Sequence, residues 1–195
     1  MAIRWTKDAD AAFAEARTSG KAVLIDFNAA PMRSACARLD AEVYPDPRVE
    51  RFINDNFIPV KIHIKEQPAA FERFGAQWTP TFVIFDSRGQ ERRRFEGFLP
   101  AEDLLGQLEL ALAHVEVAEK RWAEAERSFR RIVEKYASTD AAPEALYWAG
   151  VSRYKAGDAS ALAETERLFH EKYPDSTWAK KASVWRKPDS QGQAA

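Results

Sequence analysis

Residues 22–27 read Ala22-Val23-Leu24-Ile25-Asp26-Phe27, a short apolar, β-branched run broken by one carboxylate. Such a run predicts a strand buried on both faces. Beyond it lie Asn28-Ala29-Ala30-Pro31-Met32-Arg33-Ser34-Ala35, and then Cys36, Leu39 and Val43 at helical spacing. The chain therefore passes from a buried strand through a turn into a helix with a cysteine in its first turn. Unpaired N–H groups and the dipole at a helix N-terminus favour a thiolate, so the arrangement suits thiol chemistry.

The flanking sequence builds a domain around this stretch. Asp8 or Lys7 starts an alanine-rich helix to about Arg17, with Phe13 and Ala16 on one face, and Ser19-Gly20-Lys21 ends it. Pro45 and Pro47 break the cysteine-bearing helix, and Val49, Phe52 and Ile53 form a second amphipathic set. Residues 57–64 predict a strand with Val60, Ile62 and Ile64 on one face. A short helix begins near Pro68, carries Phe71 and Phe74, and stops at Gly75. Thr81 to Phe85 reads as a central strand, Asp86-Ser87-Arg88-Gly89 as a turn, and Gln90 to Phe95 as its hairpin partner. A long helix then starts near Ala101 with Leu104, Leu105, Leu108 and Leu112. This order predicts an α/β domain, a central mixed sheet flanked by helices.

Three further segments carry a resemblance: Val43-Tyr44-Pro45-Asp46-Pro47, Asn56-Phe57-Ile58-Pro59-Val60-Lys61-Ile62 and Trp78-Thr79-Pro80-Thr81-Phe82-Val83-Ile84-Phe85. Together with the cysteine helix they resemble the thioredoxin family over roughly residues 3–113. In that family the second cysteine of C-x-x-C lies seven residues before the valine, which places it at Cys36. The first, nucleophilic cysteine then falls at Arg33, and the motif reads Arg33-Ser34-Ala35-Cys36. Counted forward from Asp26, the family spacing falls instead on Met32 and Ala35. Neither count finds a pair. The resemblance further implies that Asp26 is the buried carboxylate that assists proton transfer in redox-active relatives. It also implies that Pro80 is a cis-proline, leaving the preceding backbone free to pair with a substrate strand at Trp78-Thr79-Pro80.

From about residue 114 to 185 the pattern is helical throughout, rich in Ala, Glu, Lys, Trp and Tyr. Sliding the segment by 37 residues aligns Glu134-Lys135-Tyr136 with Glu171-Lys172-Tyr173, Ala145 with Ala182, and Trp148 with Trp185. With Tyr173-Pro174-Asp175-Ser176 and Lys155-Ala156-Gly157-Asp158, this resembles tetratricopeptide repeats. The expected organisation is a thioredoxin-like domain over 1–113, tetratricopeptide-like helices over 114–186 whose first helix is shared with 101–120, and a disordered tail over 187–195. Trp122, Tyr147, Trp148, Tyr154, Trp178 and Trp185 are expected mainly between helices, with one or two as peptide anchors.

Composition narrows the function classes. The 195 residues carry 29 Lys and Arg against 30 Asp and Glu, a net charge of −1, which offers no argument for nucleic acid or an anionic membrane. Arg88, Arg92, Arg93 and Arg94 form the one basic cluster, read as an edge-guarding strand. A single cysteine excludes a disulfide framework within the chain. The N-terminus shows no apolar leader core and no stretch has the length of a membrane span, so a soluble, cytoplasmic protein is expected. His63, His114 and His170 are scattered, and no metal site or cofactor is implied.

Thiol–disulfide exchange needs one sulfur to attack and a second to resolve the mixed disulfide. With Arg33 in the nucleophile's place, two functions stand open. One is a redox-inactive adaptor or chaperone-like module that binds a protein or peptide at Trp78, Thr79 and Pro80. The other is a monothiol oxidoreductase or redox sensor acting through Cys36, its pKa lowered by Arg33.

Overall fold

The computed structural model describes residues 2–186, and the expected tail at 187–195 lies outside them. The chain divides into two compact units, the first ending at Val115 and the second starting at Glu116.

In the first unit, helix α1 (Ala9–Ser19) begins where the Asp8 side chain accepts the Ala11 N–H at 2.9 Å. It ends at Gly20, whose φ of 75° lets its N–H reach back to Ala16 O. Strand β1 (Ala22–Asn28) is buried along its whole length, as its composition predicts. Helix α2 (Ser34–Arg38) continues into a π-turn over Leu39–Val43, and α3 (Pro47–Asn56) starts with Asp46 as its cap and proline in its first turn. Then come β2 (Phe57–His63), α4 (Pro68–Arg73), β3 (Thr81–Phe85), β4 (Glu91–Glu96) and α5 (Ala101–Ala118).

The sheet order is β2-β1-β3-β4. β1 runs parallel to β2 and antiparallel to β3, and β3 runs antiparallel to β4. Burial is greatest on the two inner strands, β1 and β3, which explains why both read as unbroken apolar runs. One face of the sheet gathers Val23, Ile25, Phe27, Val60, Ile62 and Val83 against Ala12 and Ala16 of α1 and Phe71 of α4. Phe27 and Phe71 meet edge to face at 5.0 Å. Because side chains alternate along a strand, Asp26 points to the opposite face.

Two expected positions differ. β2 ends at His63, and Ile64, expected to join Val60 and Ile62 in the core, is 38% exposed. The hairpin's second strand spans 91–96 rather than 90–95, and a register shift falls between Ile84 and Phe85. The sheet's outer edges are closed differently. Thr6 bridges Val60 beside β2, while β4 carries Arg92, Arg93 and Arg94.

The second unit holds α6 (Trp122–Lys135), α7 (Ala141–Lys155), α8 (Ala161–Lys172), α9 (Thr177–Ala182) and a 3₁₀ turn at Ser183–Trp185. Each helix packs on the next, through Phe129, Ile132, Ala145, Ala149 and Phe169. α6 and α8 each end one residue before a tyrosine, Tyr136 and Tyr173, at the 37-residue offset seen in the sequence. α7 and α8 approach closely where Gly150 faces Thr165; a Cβ added at 150 would lie 2.8 Å from Thr165 Cβ. The aromatic set is half-buried. Tyr147 stacks on Trp185 at 4.5 Å and meets Trp178 at 5.1 Å, while Tyr154 is 46% exposed.

Candidate functional site

The loop from β1 to α2 places the motif. Arg33 is the N-cap of α2 and makes no capping bond with its side chain, Ser34 opens the helix, and Ala35 is half-buried. Cys36, one turn in, has no exposed surface and is the one free thiol of the chain. Burial pushes its pKa up, against hydrogen bonds to the Ala29 backbone and the Thr79 side chain, with Asp26 and Asp40 pushing the same way as burial. Arg33 is not among the groups that shift it, so the alternative reading of a thiol activated by Arg33 finds no support in this geometry. The guanidinium instead lies over the Trp78 ring, 5.6 Å from its centroid.

Behind Cys36 sits a buried carboxylate. Asp26 is fully buried, and its Oδ2 accepts from Tyr44 Oη at 2.8 Å and from Asn28 Nδ2 at 3.0 Å. Its Oδ1 has no partner. Loss of water raises its pKa to about 6, opposed by Lys61 and the two hydrogen bonds. Lys61, directly across from Asp26 in the β1–β2 register, pairs with Asp40 and lies over the Tyr44 ring at 4.9 Å. Asp26 was legible as a buried carboxylate, but its partners were not. Asn28 is two residues away, and Tyr44 is carried in by the π-turn that the sequence does not announce.

Trp78, Thr79 and Pro80, expected from the sequence to form a peptide-binding edge, lie at the rim of an open groove. The Thr79–Pro80 bond is cis, as is Ala30–Pro31 in the facing loop. Thr79 and Pro80 are buried, and Trp78 stands 57% exposed. Neither the N–H nor the C=O of Thr79 has a hydrogen-bond partner among the described residues. A groove of about 600 Å³ runs alongside, lined by Met32, Arg33, Ile64, Lys65, Trp78 and Thr79, with Phe71 also contributing. Met32 (46% exposed) and Ile64 join Trp78 there, so three large apolar side chains left in solvent converge on one groove. Sequence reasoning missed Ile64 and Lys65. The signal lay in β2 ending at His63, after which alternation no longer buries the next residue.

His63 ties the loop after β1 to the chain leaving β2. Its Nε2 donates to Ala30 O at 2.9 Å, and its Nδ1 accepts the Lys65 N–H at 3.2 Å, the pattern of a neutral imidazole. His170 lies in the second unit, bonded to the buried Glu166 at 2.8 Å. Among the described residues, no group of His, Cys, Asp and Glu is arranged as a metal site, and no helix is long and apolar enough to cross a membrane.

A cysteine at the start of the helix after the first central strand, facing a cis-proline loop, defines the thioredoxin-like class of α/β proteins. The thioredoxin-like domain family matches residues 9–112, and the chain belongs to that family. Thioredoxin Y, chloroplastic, of Oryza sativa subsp. japonica is 35% identical over 94 residues, 48% of this chain and 53% of that protein. The chain thus spans about half the length of the curated relative it matches. Two solved structures show the shared fold. "DsbH Oxidoreductase" has 12% identity and a TM-score of 0.50, covering 57% of this chain and 85% of the other. A putative disulphide-isomerase from Bacteroides thetaiotaomicron has 23% identity and a TM-score of 0.50, covering 57% and 93%.

Proposed function

We propose that this chain is a thioredoxin-like module that binds an extended protein segment and performs no dithiol–disulfide exchange. One observation carries the reading: the chain's single cysteine is buried on the inner face of α2, while the groove beside Thr79 and Pro80 stays open. Exchange requires an exposed thiolate and a second sulfur; Cys36 has no exposed surface, and position 33 holds an arginine. Binding requires less. The free N–H and C=O of Thr79 can take a strand's backbone bonds, and Trp78, Met32 and Ile64 offer apolar surface for its side chains.

The α-helices that follow are, in the same proposal, tetratricopeptide-like repeats that add a second binding surface. The 37-residue offset of the α6 and α8 ends supports this, as does the close α7–α8 approach at Gly150. Turnover of a fluorescent disulfide substrate, measured with an excess of external dithiol, tests the first half. The expected rate equals that of the dithiol alone, for the native chain and Cys36→Ser alike. Acceleration lost in Cys36→Ser would overturn the reading and establish the monothiol enzyme.

A further inference from the structure

The groove beside Thr79 also carries information about charge. Several cations of the first unit are neutralised locally. Lys7 pairs with Glu66, Arg38 with Glu42, Lys61 with Asp40, Arg73 with Asp10 and Arg92 with Asp86. The two cations that line the groove are not, and they share one concave surface. Among the described residues neither Arg33 nor Lys65 has a carboxylate partner, and the groove lining contains no Asp or Glu. Both side chains are exposed, and Arg33 is steered over Trp78 rather than back toward α2. On a chain with net charge −1, this is a local positive rim around an apolar floor.

Resting on the peptide-binding reading above, we propose that the groove selects an extended segment in which an apolar side chain is flanked by a carboxylate. The apolar group packs against Met32, Ile64 and Trp78, the segment's backbone pairs with Thr79, and the carboxylate meets Arg33 and Lys65 at the rim. By the count back from Val43, Arg33 stands in the place of the family's attacking sulfur, and in this proposal the position contributes charge recognition. Rim charges of this kind act mainly on specificity and association rate. The pairs stay partly in water, so the expected discrimination is moderate and salt-sensitive.

The test is selection of random eight-residue displayed peptides on the full chain, followed by titration of synthetic versions by fluorescence anisotropy. Asp or Glu next to a Leu, Val or Phe is expected to be enriched. Replacing those acids by Gln, or the protein's cations by Arg33→Gln and Lys65→Gln together, is expected to weaken binding about tenfold at low salt. The two losses should not add. Enrichment of neutral or basic peptides that still depend on Trp78 would overturn the charge inference and leave the peptide-binding reading standing. Enrichment unaffected by Trp78→Ala, or none at all, would overturn both.

Discussion

The hydroxyl of Tyr44 donates to Asp26 Oδ2 at 2.8 Å, inside a pocket where Asp26 has no exposed surface and its other oxygen has no partner. The carboxyl is therefore easier to hold protonated than ionised, and its pKa rises to about 6. Its stabilising contribution is complete below the ordinary carboxylate range and is lost as pH climbs through 6. A rise of roughly two units corresponds to about 3 kcal/mol. Unfolding by urea should show native stability minus that of Asp26→Asn falling by about that amount between pH 4 and pH 8. Tyr44→Phe removes a donor to the ionised form, so its cost should grow over the same interval.

Cys36 should behave as a packed side chain. Alkylation near pH 7 is expected to be at least about a hundredfold slower in the native chain than in urea, because the reactive thiolate is both disfavoured and unreachable. A native rate equal to the unfolded one would contradict the burial described above.

Arg33→Cys tests directly which position faces Cys36 across the motif. As the N-cap of α2, three residues before Cys36, it lies within the span a disulfide closes. Oxidation of this variant should consume both thiols within one chain, measured by thiol titration and mass. Met32→Cys should leave Cys36 free, resolving the two family counts in favour of position 33.

Trp78→Ala should separate binding from folding. A side chain 57% exposed makes little contribution to the core, so unfolding is expected to change by no more than about 0.5 kcal/mol. Loss of peptide affinity in this variant, with its circular dichroism unchanged, would locate the binding surface.

Gly150→Ala tests the packing of the second unit. The added methyl meets Thr165 Oγ1 first, then its Cβ at 2.8 Å and Cγ2 at 2.9 Å, all on a helix that cannot easily retreat. A loss of about 1–3 kcal/mol is expected, with part regained by Thr165→Ala, which removes Oγ1 and Cγ2 but keeps Cβ. Thermal unfolding of the three variants measures it.

Legibility in the sequence followed burial and periodicity. Strands β1 and β3 are inner strands, so continuous apolar runs announced them, and Asp8, Gly20 and Pro47 marked helix ends through local chemistry. The groove was half visible. Trp78, Thr79 and Pro80 were identified by resemblance, yet whether Trp78 faced solvent depended on contacts no local pattern encodes. Ile64 and Lys65 joined it through the end of β2, and Tyr44 reached Asp26 through a π-turn whose extra residue per turn leaves no compositional trace. The alternative of a Cys36 activated by Arg33 finds no support for a related reason. A helix N-terminus favours a thiolate only where water or a cation also reaches it, and here the sulfur lies one turn inside while Arg33 turns to Trp78.

The closing of the sheet's edges has a practical meaning for the protein in bulk. Thr6 takes both a carbonyl and an N–H from β2, through Pro59 O and the Lys61 N–H at 2.9 Å each. At the far side, Arg92 is tied to Asp86 and Arg94 to Glu91, which keeps charge standing along β4. Two copies meeting edge to edge would have to unfasten the first clasp or bring arginines face to face. Concentrated solutions should therefore stay clear, and a chain trimmed of residues 2–6 should be the one that clouds.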